Sequence, residues 1–134
     1  MDTMAPTRPN VLHRSRVPLT TGPAAPSQAR HQVQEAICSW HIPVDQGVAV
    51  LLTSELVTNA VRYETGETVT LAITCSCDQL RVDVYDTSQV LPVPEDASAD
   101  AETGRGLILV NSLSSEWGTY RTPAGKAVYF TLAF

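Results

Sequence analysis

The chain has 134 residues, of which 43% are hydrophobic and 17% charged, and a formal net charge of −5. That length and composition fit one globular domain and exclude both a second full-sized core and a mainly disordered chain. The longest apolar run, Val48 to Leu52, is too short to cross a bilayer, and the N-terminus has no apolar signal core. A cytoplasmic protein with no membrane partner is the expectation.

The charge is uneven: residues 1–30 carry +3 and residues 31–134 carry −8. An acidic body lacks the basic footprint of a nucleic-acid binder, so no direct nucleic-acid contact is expected. Glu95, Asp96, Asp100 and Glu102 form an acid patch with no base between Gln89 and Thr103. The three cysteines, Cys38, Cys75 and Cys77, fit a reducing compartment. Cys75 and Cys77 read as small hydrophobes on one strand face. The histidines offer no zinc-ligand spacing.

In chain order, residues 1–15 read as a flexible tail and 16–134 as the domain. The stretch Arg16 to Thr20 can add a strand at a sheet edge. Ser27 to Trp40 reads as a helix capped by Ser27, with Ala29, Val33, Ile37 and Trp40 at helical spacing. A second helix runs from about Val44–Asp45 to Tyr63, with Val48, Leu51, Leu52, Leu56 and Ala60 as its core face. Two strands follow. In the first, Val69, Leu71, Ile73 and Cys75 alternate with polar or small residues; in the second, Leu80, Val82 and Val84 do. That alternation points Asp86 into the packed face, which is costly for a carboxylate without a partner. Residues 87–103 read as a long functional loop. Gly104 and Gly106 then open a short helix through Leu113. A hairpin closes the chain, with its turn at Pro123–Gly125 and an apolar face of Val128, Phe130, Leu132 and Phe134. This order predicts an α+β two-layer sandwich, a mixed and mostly antiparallel sheet with three helices on one face. Trp40, Trp117, Tyr129 and Phe130 read as core or rim packing, and Arg62, Glu64 and Lys126 as surface.

Glu55, Asn59 and Tyr63 stand at i, i+4 and i+8, hence on one face of the second helix. An Asn beside a carboxylate suits Mg²⁺, which takes oxygen ligands. The inward Asp86 can accept from an exocyclic amine such as that of adenine. Glycines at a helix start let a phosphate approach free N–H groups. Leu109 stands where a dinucleotide fingerprint needs its third glycine.

The run Glu55-Leu-Val-Thr-Asn59-Ala-Val-Arg-Tyr63 resembles the N-box of the GHKL ATPases, the Bergerat-fold superfamily of gyrase, MutL and histidine-kinase ATP domains. Val84-Tyr-Asp86-Thr-Ser88 is similar to the first glycine box, and Thr103-Gly-Arg-Gly-Leu-Ile-Leu-Val110 to the second. The ending, Glu116-Trp-Gly118 and then Gly125-Lys-Ala-Val-Tyr-Phe130, resembles the small single-domain branch of bacterial anti-sigma factors and serine-protein kinases. The resemblance implies ATP and Mg²⁺ as cofactors. It implies Glu55 as general base, Asn59 as the Mg²⁺ ligand and Asp86 as the adenine acceptor. It places Ser88, Gly104, Arg105, Gly106 and Leu107 against the nucleotide. It also implies a serine/threonine protein kinase that phosphorylates an anti-anti-sigma (STAS-type) partner, sequesters a sigma factor, or both, with homodimerisation left open. The alternatives are a catalytically weak or inactive protein-binding module of the same fold, and a plain ATPase domain. Ser88 replaces the usual glycine of the first box, Tyr63 a frequent His of the N-box, and the acid patch falls in the ATP lid.

Overall fold

The computed structural model describes residues 10–64, 66–88 and 101–134, with 101–105 as backbone only. Strand β1 is His13–Thr20, followed by helices α1 (Ala25–Ser39) and α2 (Gln46–Tyr63). Strands β2 (Thr68–Cys75) and β3 (Gln79–Asp86), helix α3 (Ala101–Leu113) and strands β4 (Glu116–Arg121) and β5 (Lys126–Ala133) complete the chain. The sheet order is β1-β2-β3-β5-β4, and every pairing is antiparallel. Helix α2 packs against both α1 and α3 and against β2, β3 and β5, so the three helices form one layer.

Local chemistry explains the elements. Asp45 caps α2, its carboxylate accepting from the Val48 N–H at 3.0 Å. Helix α1 begins at Ala25 rather than at Ser27, with Pro26 in its first turn, where a missing N–H costs nothing. β1 starts at His13, three residues before the expected domain boundary, and Pro18 suits its edge position. Cys77 lies beyond the end of β2 and is exposed while Cys75 is buried, so the two thiols do not share a strand face. Burial pushes the Cys75 thiol above its ordinary range.

The core lies between the layers. Leu71, Ile73, Leu80, Val82, Val84 and Phe130 meet Val33, Leu52, Leu56 and Val57, all at 1% exposure or less. Each such side chain contributes about 1.5–3 kcal/mol on leaving water. Trp40 and Trp117 pack at its margin, whereas Phe134 is exposed. Among the described residues no helix covers the opposite sheet face, yet Arg81, Asp83, Tyr120, Tyr129 and Thr131 on it are buried. Arg81, Asp83, Tyr120 and Tyr129 contact one another across this face. The Arg81 guanidinium sits 3.7 Å from the Tyr129 ring centre.

Candidate functional site

The site starts from the register of three strands. Asp86 ends β3, Lys126 begins β5 directly opposite it, and Arg121 of β4 stands opposite Lys126. Asp86 shares the parity of Val82 and Val84 and faces the helices, as the alternation predicted. Lys126 shares the parity of Val128 and Phe130 and faces the same way. It is not a surface residue: it is 2% exposed, and its Nζ donates to both carboxylate oxygens of Asp86 at 2.7 Å. The Ser88 N–H donates to Asp86 Oδ1 at 2.8 Å, so the residue in the glycine position engages the carboxylate through its backbone. Burial pushes the Asp86 carboxyl above the ordinary aspartate range. Lys126 and the Ser88 N–H oppose that rise, and the neighbouring Glu64 charge adds to it.

Two further contacts fix this strand end. Glu64, just past α2, accepts from the N–H of Thr87 at 2.7 Å and from its hydroxyl, and from the Gly66 N–H at 2.7 Å. Glu64 is therefore half-buried and ties the α2 terminus to the segment that follows Asp86. Gly125 presses the hairpin turn onto the same place. A Cβ there would lie 2.2 Å from the Asp86 carbonyl oxygen, so only glycine fits.

On α2, Glu55 and Asn59 are half-buried on one face, one turn apart. Neither makes a hydrogen bond or ion pair with another described residue. The second glycine segment meets this face. A Cβ on Gly106 would stand 2.5 Å from Glu55 Oε2, so the bare backbone of α3 lies against the carboxylate. Helix α3 starts at Ala101, however, which puts Gly104 and Gly106 inside the helix rather than at its opening. These glycines therefore do not open the helix, and residues 101–103 are helical rather than loop. Leu107 is buried at 1% exposure, not lining an open surface. The side chains of Glu102 and Arg105, and the acid-patch residues Glu95, Asp96 and Asp100, lie outside what the structure describes.

A cleft of about 560 Å³ opens at this end of the sheet, lined by Arg16, Thr70, Tyr85, Asp86, Thr87 and Tyr120 among others. Apart from Asp86, the strand residues named here belong to the uncovered sheet face, so this cleft is not the space between Asp86 and the helices. Among the described residues no cluster of three His, Cys, Asp or Glu side chains could hold a metal ion. Asn59, the expected Mg²⁺ ligand, makes no hydrogen bond with another described residue, so its side-chain oxygen could be offered to a divalent cation.

Lys126 and Glu64 were legible to different degrees. Counting parity back from Phe130 puts Lys126 on the apolar face, the same reasoning that found Asp86. Glu64 reaches Thr87 across 23 residues, and no local pattern announces that.

The open five-stranded antiparallel sheet with three helices on one face and an inward acid at the end of β3 is the architecture that the Bergerat-type resemblance implied. A family model described as "Histidine kinase-like ATPase domain" matches residues 19–132, and the chain belongs to that family. Among solved structures, it is similar in fold to a Mycobacterium tuberculosis chain described as the RsbU and RsbW domains of Rv1364c. The TM-score is 0.67 at 20% identity, over 90% of this chain and 32% of that one. The chain thus spans about a third of the length of that neighbour. No curated protein matches. Among the described residues no helix is long and apolar enough to cross a membrane.

Proposed function

We propose that this protein binds Mg-ATP and regulates transcription as a serine/threonine protein kinase of the anti-sigma type. It would phosphorylate an anti-anti-sigma (STAS-type) partner, sequester a sigma factor, or do both. Two observations carry the reading, one on β3 and one on α2, the helix that packs against it. Asp86, paired with Lys126, faces the helices, and Glu55 and Asn59 on α2 make no hydrogen bond or ion pair with another described residue. The GHKL motif order and the family membership support it.

Each side chain has a definable task. Asp86 accepts from the adenine amine. Asn59 offers a carbonyl oxygen to Mg²⁺, which when bound neutralises phosphate charge. Glu55 accepts the proton of the partner's serine hydroxyl as that oxygen bonds to the γ-phosphorus and the bond to ADP breaks. Transfer of this kind rests on positioning and charge neutralisation, which suits a site with few reactive groups.

Calorimetry with Mg-ATP tests the reading. The wild type should bind, and Asp86→Ala should lose about 1.5–3 kcal/mol, more than tenfold in affinity. No heat and no thermal shift at millimolar Mg-ATP would overturn it. Glu55→Ala should keep ATP and lose transfer to the partner. One observation favours a second reading, a binding module with weak or no catalysis: the Asp86 carboxylate already has an internal cation. ATP binding without transfer to any STAS-type protein would select that module.

A further inference from the structure

We propose that Lys126 is itself a base-reading residue, donating to the ring nitrogen that flanks the adenine amine while Asp86 accepts from the amine. This rests on the nucleotide reading above and adds a contact to it.

The inference comes from counting donors and acceptors. An ammonium group carries three N–H donors. Two of those on Lys126 are taken by Asp86 Oδ1 and Oδ2, each at 2.7 Å. The third has no acceptor among the described residues, although Lys126 is only 2% exposed. On the other side, Asp86 Oδ1 accepts twice, from Lys126 and from the Ser88 N–H, whereas Oδ2 accepts once. The pair is left with one spare donor and one spare acceptor on atoms 2.7 Å apart. Buried polar groups in native proteins nearly always have hydrogen-bond partners, so a spare donor beside a spare acceptor suits a group that pairs with both. The complementary edge has an N–H donor next to an acceptor nitrogen. Adenine presents that edge twice, as its amine beside N1 and as its amine beside N7.

The pair also resists the obvious alternative, displacement of Lys126 by the nucleotide. Expelling it would leave a buried ammonium without its counter-charge. Binding beside the intact pair disturbs neither charge. The three N–H groups of an ammonium diverge about its terminal bond, so the third points away from the two that hold Asp86.

The test compares Mg-ATP, 1-deaza-ATP and 7-deaza-ATP in calorimetric titrations of the wild-type chain. ATP should bind, and one of the two analogues, the one lacking the contacted nitrogen, should bind about tenfold more weakly. Lys126→Met should erase the difference between that analogue and ATP. If both analogues bind wild type as ATP does, the Lys126 contact is wrong while the nucleotide reading stands. If ATP does not bind at all, both fail. The wild-type titrations decide the matter even if Lys126→Met does not fold.

Discussion

Strand β3 carries two buried ion pairs, one on each face, and they are built differently. On the uncovered face Arg81 grips Asp83 with Nε at 2.9 Å and Nη2 at 3.0 Å, and the Tyr120 hydroxyl donates to Asp83 Oδ2 at 2.7 Å. The Tyr129 ring lies over the guanidinium, and the Arg81 donors not used on Asp83 point away from the carboxylate because the fork is planar. Burial pushes the Tyr120 hydroxyl well above its ordinary range, with the Asp83 charge adding to it. Burial works to lower the Arg81 pKa, but its bonds and charge contact with Asp83 outweigh that and hold it above its ordinary value. On the helix-facing side Asp86 has a lysine, a rotatable point charge, and a spare donor lies beside a spare acceptor. Among the described residues the first pair is capped and ring-covered, whereas the second keeps the spare donor and acceptor that the proposed base contact uses.

The largest effects should come from breaking either pair. Lys126→Met and Arg81→Met should each cost about 3–5 kcal/mol in chemical denaturation, because each strands a buried carboxylate. Only the first should change Mg-ATP affinity. Equal losses of affinity from both would erase the distinction between the faces. The double variant Asp86→Leu/Lys126→Met should recover most of the stability and still fail to bind ATP.

Smaller changes sharpen the contrast. Tyr120→Phe removes a donor to the charged Asp83 and should cost about 1.5–3 kcal/mol without touching nucleotide affinity. Gly106→Ala should do the reverse. The added methyl meets only the end of a flexible side chain, so Glu55 swings aside, and alanine favours the helix by about 0.8–1 kcal/mol. Stability should hold while phosphoryl transfer slows about tenfold, roughly 1.4 kcal/mol.

The smallest predicted effect is with pH. The raised Asp86 carboxyl takes up a proton at milder acidity than an ordinary aspartate, and only the ionised form accepts twice at one oxygen and once at the other. ATP affinity should therefore begin to fall at milder acidity than an unperturbed aspartate, near 3.9, would require. For stability the sign is opposite. A raised carboxyl pKa contributes most below the unfolded value and loses that contribution as pH rises through the folded one. Titrating affinity and stability in parallel separates the two.

Much of this was legible in the sequence because its signals are periodic. Strand alternation fixed the faces of β2, β3 and β5 and the inward turn of Asp86, and helical spacing gathered Glu55 and Asn59 on α2. The misses share a cause. Lys126 was read by residue type, as a surface lysine beside a turn, instead of by its position in the β5 alternation. The glycines of α3 read as a helix opening because glycine weakens a helix interior. Here the helix tolerates Gly106 since α3 must approach Glu55 closely. The mutual cover of Arg81, Asp83, Tyr120 and Tyr129 depends on which strands become neighbours, and β3 beside β5 is a pairing no local pattern displays.

A crystal structure of the chain with Mg²⁺ and a non-hydrolysable ATP analogue tests the central claim most directly. The account predicts the base lodged on the helix-facing side of β3, its amine within hydrogen-bond distance of Asp86 Oδ2 and a ring nitrogen within reach of Lys126 Nζ. A nucleotide bound with its base away from the intact Asp86–Lys126 pair would contradict it.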